Sequence, residues 1–383
     1  MKSKVCLISV ISDVYTDQRV LRTANTLLEQ NFSVHIIGRK IKGKTNPSKI
    51  KYPYQIYHIN PLFRKSVLMY ACFNILLLFK LFVLVIKNRK KCILLYSNDL
   101  DTLIPNFIIS KLFQLKLIYD SHEIFTEVPE LQGKSIKKKI WETIEKMILP
   151  KLPFSITVNE SIAQWYQKKY HTKFYVIRNI SIPISVNKIK TREELGLPSD
   201  KKIIILQGTG INIHRGAEEL VQAMQFLDDS YCLLIIGGGD VINILHQMTE
   251  DLKLSHKIIF KKRMPADELY HYTCNSDLGI SIDKPNNLNY LYSLPNKIFS
   301  YIQAHIPVLS TKLPEIEKII THLNIGNFIE NHHPEHIAEK IKESVHHKDY
   351  QLWKQNTYIA EKELSWEKEK QILKEIISTQ FNC

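Results

Sequence analysis

Residues 291–316, LYSLPNKIFSYIQAHIPVLSTKLPEI, decide the fold. A polar turn at residues 293–297 leads into a helical pattern that ends near Pro307, and an apolar strand follows at residues 308–310. A turn that opens a helix leaves backbone N–H groups unpaired at the positive end of the helix dipole, where phosphate binds. Lys297 adds a charge in the first helical turn. The stretch predicts either a phosphate site or an ordinary loop–helix–strand unit of an α/β protein.

Length and composition indicate a globular chain with more than one core. At 383 residues it exceeds the usual size of a single hydrophobic core, which favours two domains. Apolar residues make up 44% and charged residues 23%, as in ordinary globular proteins. Six cysteines without a CxxC pair suit a reducing cytosol. The first apolar run is short and broken by Asp13, so we interpret it as a buried strand and not as a signal peptide.

Strand and helix patterns alternate along the whole chain. They run from residue 5 to residue 177 and restart at residue 203, after a polar stretch over residues 187–202. Such alternation predicts βα units and a parallel sheet, and the restart predicts a second one. We expect two doubly wound domains, residues 1–188 and 189–362, followed by an amphipathic helix over residues 363–383. Ligands of such sheets bind at the carboxyl ends of the strands.

Charge is distributed unevenly between the two halves. Residues 1–190 hold 31 Lys+Arg and 12 Asp+Glu, whereas residues 191–383 hold 21 and 26. A basic half indicates an anionic partner, either nucleic acid or anionic lipid. The basic clusters at residues 39–44 and 137–139 lack the interleaved aromatic residues of nucleic-acid modules, so no nucleic-acid partner is expected.

The apolar run at residues 67–86, VLMYACFNILLLFKLFVLVI, leaves three interpretations open. Basic residues flank it, Arg64 and Lys65 before it and the segment 87–91 after it. The run is long enough to span a membrane, but Asn74 and Lys80 in its middle argue against a span. The alternatives are a helix lying in the membrane interface and a helix packed on a sheet.

The first turn of the second half, QGTGINIHRGAEEL at residues 207–220, matches no standard nucleotide fingerprint. It is neither G-x-G-x-x-G with a downstream acid nor a Walker loop. Close backbone approach at Gly208, with one cation at Arg215, suits a diphosphate. Lys297 would arrive from a neighbouring strand end. The alternative is a turn with ordinary glycines and a solvated arginine.

Seven blocks, in order, carry a resemblance to a known family. They are DQRVLRTANTLLEQNFSVHIIG (17–38), YSNDLDTL (96–103), IYDSHEIF (118–125), VIRNI (176–180), QGTGINIHRGAEELVQAM (207–224), IIGGGD (235–240) and SLPNKIFSYIQAHIPVL (293–309). The chain resembles the retaining, nucleotide-sugar-dependent glycosyltransferases of family 4, which belong to the group 1 type. The resemblance implies the GT-B architecture. That is an α/β fold of two Rossmann-like doubly wound domains facing across a cleft, with the C-terminal helix crossing back to the first domain.

The resemblance also implies roles for individual residues. Arg215 takes the place of a cation that contacts the donor diphosphate, and Lys297 would replace a second cation, where Thr209 now stands. His122 matches the histidine that borders the donor sugar. The family's paired glutamates fall on Tyr292 and Ser300, which leaves ribose binding to be done otherwise. We therefore expect His122, Arg215 and Lys297 to be catalytic. The expected donor-binding residues are Gly208, Gly210, Tyr292, Ser293, Leu294, Pro295, Asn296 and Ser300, and the expected acceptor-side residues are Asp17, Arg19 and Glu123.

The implied activity is hexosyl transfer from a UDP- or GDP-linked sugar, with retention, to a glycan or lipid-linked glycan. Bacterial surface polysaccharide synthesis, in the cytoplasm or peripherally on the inner face of the cell membrane, fits this activity. No cofactor and no metal are expected, because cations already serve the diphosphate. Asp99 and Asp101 look like the metal-binding D-x-D motif of the other glycosyltransferase fold, but they lie where a strand turns into a helix and are interpreted as caps. The alternatives are another GT-B enzyme, an epimerase or a phosphorylase, and an inactive nucleotide-sugar-binding homologue.

Overall fold

The computed structural model describes residues 4–41, 53–61, 67–128 and 131–380. Part of the first basic cluster (residues 42–44), Arg64, Lys65 and Cys383 lie outside these ranges. The chain divides into two compact units. The first unit contains Met1–Asn179 and Glu367–Cys383, and the second contains Ile180–Trp366.

The first unit alternates strands and helices as the sequence predicts. Its elements are β1 (Lys4–Asp13), α1 (Gln18–Glu29), β2 (Phe32–Arg39), β3 (Gln55–His58), α2 (Val67–Lys87), β4 (Cys92–Asn98), α3 (Leu103–Leu112), β5 (Lys116–Ser121), α4 (Ser135–Ile148), β6 (Phe154–Thr157), α5 (Glu160–Tyr170) and β7 (Phe174–Val176).

The seven strands of the first unit form one parallel sheet in the order β3-β2-β1-β4-β5-β6-β7. The central strand β1 is almost wholly buried, which explains its near-continuous apolar sequence. The strand order reverses between β1 and β4, so their carboxyl ends mark the point where ligands bind in such sheets.

The second unit repeats the plan. Its elements are β8 (Lys202–Gly208), α6 (Ala217–Ala223), β9 (Tyr231–Gly237), α7 (Ile242–Asp251), β10 (Ile258–Lys262), α8 (Ala266–Cys274), β11 (Leu278–Ser281), α9 (Leu288–Leu291), α10 (Asn296–Gln303), β12 (Val308–Thr311), α11 (Pro314–Leu323), β13 (Gly326–Ile329), α12 (Pro334–Val345) and α13 (Tyr350–Glu363).

Six strands of the second unit form a parallel sheet in the order β10-β9-β8-β11-β12-β13. Apolar side chains fill both faces of this sheet, as a doubly wound domain requires. The order reverses between β8 and β11. The carboxyl ends of these two strands therefore mark the expected ligand position of the second unit.

The boundary between the units lies earlier than the predicted ranges 1–188 and 189–362 place it. Ile180 is fully buried in the core of the second unit, together with Leu195 and Leu197. The polar stretch that suggested a later boundary is thus attached to the second unit by buried apolar side chains.

The last helix, α14 (Trp366–Gln380), packs on the first unit, as predicted. Glu369 is 1% exposed and pairs with the Arg178 guanidinium at 2.7 Å. Lys370 and Lys374 reach Glu29 of α1 at 3.2 and 2.8 Å. The C-terminal segment therefore returns to the unit in which the chain begins.

Candidate active site

Two glycine-containing turns meet at the carboxyl end of the second sheet. Gly237, the last residue of β9, has a φ of +144°, and a Cβ there would lie 1.8 Å from the Gly208 carbonyl oxygen. The Ile211 N–H donates to the Gly238 carbonyl at 2.9 Å. Only glycine fits at position 237, and its presence lets the turn after β8 approach the turn after β9.

A third glycine sets the position of Arg215. Gly216 opens α6 with a φ of +75°, and a Cβ there would lie 2.4 Å from the Ile282 carbonyl oxygen. The Lys284 N–H also donates to the His214 carbonyl at 2.9 Å. The start of α6 is thereby fixed against the segment that follows β11.

Arg215 and Lys297 converge on one carboxylate that the sequence analysis did not identify. Asp283 follows β11 and is 0% exposed. Its Oδ2 lies 3.6 Å from Arg215 Nη1, and its Oδ1 lies 3.5 Å from Lys297 Nζ. The Arg215 guanidinium also stands 5.0 Å from the centre of the Tyr290 ring. The predicted proximity of the two cations is therefore present within this unit.

The cations keep capacity for a further anion. Both distances to Asp283 are long for hydrogen bonds, and Arg215 Nε is buried without a hydrogen-bond partner. Burial lowers the pKa of Lys297, and the nearby Arg215 lowers it further while Asp283 raises it. An anion that entered here would relieve the repulsion between the two cations.

A pocket of about 240 Å³ opens beside these groups. Its lining comprises Leu206, Gln207, Gly208, Thr209, Gly210, Ile211, Arg215, Pro295, Asn296 and Lys297. Helix α10 begins at Asn296 with no side-chain cap. The Ile298 N–H donates to the Pro295 carbonyl at 3.1 Å, which leaves the N–H groups of Asn296 and Lys297 at the helix start as donors for a ligand. Cations, a glycine turn and an uncapped helix start are together suited to a diphosphate.

Four predicted donor-binding residues are not among those that line this pocket. Tyr292 directly follows α9, and the Ser293 hydroxyl donates to the Tyr290 carbonyl at 2.9 Å. Leu294 packs against the apolar core, and the Ser300 hydroxyl bonds back to the Asn296 carbonyl at 3.3 Å. Their role in donor binding stays a prediction.

In the first unit His122 is held by Asp99. The His122 backbone N–H donates to Asp99 Oδ1 at 2.9 Å, and its ring Nδ1 lies 3.1 Å from Asp99 Oδ2. Burial lowers the pKa of His122, but the Asp99 carboxylate, helped by Asp120, raises it to about 9. The ring is therefore an imidazolium at neutral pH.

The expectation that Asp99 caps the following helix is wrong. Its side chain makes no capping bond, and its backbone adopts φ +56° and ψ 166°, a conformation that residues other than glycine rarely adopt. The carboxylate is used to orient His122 instead. Asp101, two residues on, is buried with an unpartnered Oδ1, and burial followed by the neighbouring Asp99 raises its pKa well above the usual value.

Two predicted acceptor-side residues serve the framework. Arg19 is 3% exposed and pairs with Asp120, with Nη2–Oδ1 at 2.7 Å and Nε–Oδ2 at 3.0 Å. Tyr96 donates its hydroxyl to the same carboxylate at 2.8 Å. Asp17 caps α1 through the Val20 N–H at 3.2 Å. These contacts connect α1 to β5, and they leave the charge of Arg19 fully paired.

Glu123, the third predicted acceptor-side residue, lines a cavity of about 650 Å³. The other lining residues are Arg39, Met69, Tyr70, Asp99, Asp101, Phe125, Val128, Leu131, Lys134, Lys137, Ile140 and Trp141. The cavity combines aromatic and aliphatic walls with acidic and basic groups, which suits an amphipathic ligand.

Sequence reasoning missed Asp99 and Asp283 as partners of the predicted cations. Asp99 follows β4 directly and Asp283 lies two residues after β11, so both are at carboxyl ends of strands, and that position was the available signal. Among the described residues, no group of three or more His, Cys, Asp or Glu side chains could hold a metal ion.

Comparison with known proteins gives a consistent result. Residues 187–362 match the family described as glycosyl transferases group 1. The chain is 22% identical over 236 residues to chitobiosyldiphosphodolichol beta-mannosyltransferase of Debaryomyces hansenii, a match that covers 54% of this chain and 49% of that protein. Its matches to curated relatives span about half of their length or less.

Solved structures resemble the whole chain. Sucrose-phosphate synthase of Thermosynechococcus elongatus aligns with a TM-score of 0.80 over 99% of both chains at 14% identity. HepE of Anabaena, in complex with UDP-glucose, aligns with a TM-score of 0.72 over 98% of this chain and 99% of its own at 16% identity. The predicted GT-B fold, built from two Rossmann-like domains, is confirmed.

Proposed function

We propose that the chain is a glycosyltransferase that moves a hexosyl group, with retention, from a nucleoside-diphosphate sugar to a glycan or lipid-linked glycan. The observation that carries the proposal is the sharing of one buried carboxylate, Asp283, by Arg215 and Lys297 beside a pocket with backbone donors. One carboxylate against two cations leaves a site short of negative charge, and a diphosphate supplies it. The match of this region to group 1 glycosyltransferases, and the UDP-glucose bound by HepE, support the same donor class.

The proposed chemistry follows from where charge develops. The bond between the anomeric carbon and the diphosphate oxygen breaks, and the electron pair leaves with the diphosphate. Arg215, Lys297 and the start of α10 stabilise that charge. The acceptor hydroxyl attacks from the same face, and its proton passes to the departing phosphate oxygen. This front-side route, which gives retention, rests on the resemblance to family 4.

For the first unit we propose two roles. His122, held as an imidazolium by Asp99, supplies positive charge near the donor sugar. The cavity beside Glu123 takes the acceptor, because its aromatic walls and basic groups suit a molecule with an apolar part and a charged part. The dolichol-diphosphate substrate in the name of the Debaryomyces relative supports a lipid-linked acceptor, as in bacterial surface polysaccharide synthesis. We place the activity in the cytoplasm, where the described free cysteines stay reduced.

The test is release of nucleoside diphosphate from a panel of UDP- and GDP-linked sugars, with and without acceptor extracts. Arg215→Ala and Lys297→Ala should each slow release at least about tenfold, a barrier increase of about 1.4 kcal/mol. Lys312→Ala is the matched control, because Lys312 is a 58% exposed lysine of the same unit paired with Glu317. Wild-type rates in both active-site variants would contradict the assignment.

The same assay separates the alternatives. Donor binding without any release of nucleoside diphosphate would indicate an inactive homologue. This alternative is tested because Tyr292 and Ser300 replace the family's paired glutamates. A change in sugar stereochemistry without transfer would indicate an epimerase.

A further inference from the structure

Helix α2 is attached to the first unit along one face. Phe73, Leu77, Leu81 and Leu84 are 0–3% exposed. The helix is, by length and composition, the single candidate for a membrane crossing among the described residues. Crossing would remove these four side chains from the core of the unit, so the helix stays on the protein surface.

The two polar residues in the middle of α2 also contact the protein. The Asn74 amide donates to the Tyr70 carbonyl at 2.8 Å and to the Asp101 carbonyl at 2.9 Å. The Lys80 ammonium stands 4.5 Å from the centre of the Tyr57 ring. The two residues that argued against a membrane span are therefore satisfied within the unit and do not interrupt the outer face.

The outer face of α2 is apolar and exposed. We call the following residues, which are 40–66% exposed, the apolar stripe: Ile75, Leu76, Phe79, Phe82, Val83 and Ile86. The stripe continues onto α3, where Ile108 and Leu112 are 44% and 62% exposed. The rings of Phe82 and Phe113 lie 5.6 Å apart and connect the two helices. A contiguous apolar surface of this kind marks an interaction site.

Cations border the stripe. The sequence between residues 30 and 98 contains no aspartate or glutamate. At the C-terminal end of α2, Lys87 and residues 89–91 are exposed cations. Beyond α3, a pocket of about 270 Å³ is lined by Lys111, Lys116 and Lys151, and none of these lysines pairs with an acidic residue in the described ranges. Apolar side chains bordered by cations are complementary to an anionic lipid surface.

We propose that the apolar stripe docks on an anionic membrane, with α2 lying in the plane of the interface. The stripe enters the acyl boundary, and the lysine pocket formed by Lys111, Lys116 and Lys151 binds lipid headgroup phosphates. Charge decides between a membrane and a second copy of the chain, because two copies meeting through this face would bring two unneutralised basic regions together. The docking site uses no residue of the proposed donor site, so the two proposals fail independently.

Vesicle flotation tests the docking. The full chain should float with phosphatidylglycerol vesicles at low salt, float less with phosphatidylcholine vesicles, and detach as salt rises. The double variant Phe79→Glu, Val83→Glu should lower partitioning at least about tenfold, because it places two charges in the acyl boundary. The matched control is Ile244→Glu, Ile359→Glu, which makes the same change at apolar residues of the second unit that are 52% and 61% exposed.

A second variant, which removes positive charge, tests the contribution of the lysine pocket. Lys111→Ala, Lys116→Ala, Lys151→Ala should also lower partitioning on phosphatidylglycerol at least about tenfold and should leave partitioning on phosphatidylcholine unchanged. An unchanged thermal unfolding midpoint and an unchanged UDP-dependent shift of that midpoint show that each variant is folded.

Three results would overturn the docking proposal. One is a wild-type chain that stays unbound on phosphatidylglycerol at low salt. Another is a stripe variant that floats as well as the wild type. The third is a wild-type dimer that the stripe variant converts to a monomer in light scattering, since that would assign the surface to a second copy.

Discussion

At the carboxyl end of the first sheet one buried cation meets one buried carboxylate, whereas at the carboxyl end of the second sheet two cations share one. Arg19 and Asp120 are 3% and 1% exposed and form an ion pair at 2.7 Å. The Tyr96 hydroxyl donates a further hydrogen bond to the Asp120 carboxylate. Arg215 and Lys297 stand 3.6 and 3.5 Å from Asp283, and Arg215 is 30% exposed. The first arrangement is neutral and saturated. The second has excess positive charge that faces a pocket.

The difference separates a framework contact from a proposed ligand site. A buried ion pair with every donor used stabilises one geometry and leaves no group for a substrate. A carboxylate shared at long distance holds two cations in place while leaving their donors available. The same residue type, an arginine near a strand end, is therefore fully paired in the first unit and keeps an unpartnered Nε in the second, and the number of counter-charges distinguishes the two.

The largest expected effect comes from breaking the saturated pair. Arg19→Met should lower the free energy of unfolding by about 3–5 kcal/mol, because Asp120 would stay buried with only the His122 ring, 3.9 Å from its Oδ2, as a counter-charge. Urea denaturation followed by circular dichroism measures it. Since the change lies in the first unit, the dissociation constant for UDP should remain within about twofold. A loss of stability below about 1 kcal/mol would show that Asp120 is protonated or solvated in the variant.

Neutralising the shared carboxylate should have a smaller and ligand-dependent effect. Asp283→Asn should lower the free energy of unfolding by about 2 kcal/mol, because two neighbouring cations lose their counter-charge. Adding UDP should then raise the thermal unfolding midpoint by more than it does in the wild type, because the diphosphate replaces the lost negative charge.

Asp120→Asn is the matched control for that experiment. It removes a buried carboxylate from the first unit, where no diphosphate is proposed to bind, so UDP should shift its midpoint by the wild-type amount. A smaller UDP shift for Asp283→Asn than for the wild type would mean that Asp283 chiefly positions the two cations for the ligand.

The fold could be predicted from sequence because its strands are buried on both faces and appear as short apolar runs between helical patterns. The strand β3 was missed, since Gln55–His58 shows no apolar pattern and every one of its residues is at least partly exposed. The helix that was predicted to end near Pro307 ends at Gln303. The chain leaves the helix because His305 adopts a φ of +56°, a backbone conformation that the sequence pattern does not predict. Local backbone conformation of this kind depends on tertiary packing.

The site could be predicted only in part. The positions of Arg19 and Arg215 look alike in sequence, each beside the turn that follows a strand. Their counter-charges lie far away in the chain, Asp120 at a separation of 101 residues from Arg19. Whether a cation is saturated depends on those distant partners, so sequence alone could locate Arg215 but could not separate it from the framework contact of Arg19.

The ion pair between His122 and Asp99 in the first unit can be tested through the pH dependence of stability. Its pKa of about 9 in the folded chain exceeds the value of about 6.5 in the unfolded chain, so the pair with Asp99 contributes stability that is full below about pH 6.5 and lost as pH rises through about 9. The unfolding free energy of the wild type should exceed that of His122→Gln by about 2 kcal/mol near pH 6, and the difference should disappear near pH 10. Asp99→Asn should abolish the same dependence, because it removes the carboxylate that holds the proton on the ring. Urea titrations across this range provide the measurement. A difference that does not change with pH would mean that His122 is neutral in the folded protein, and the first unit would then supply no positive charge to the donor sugar.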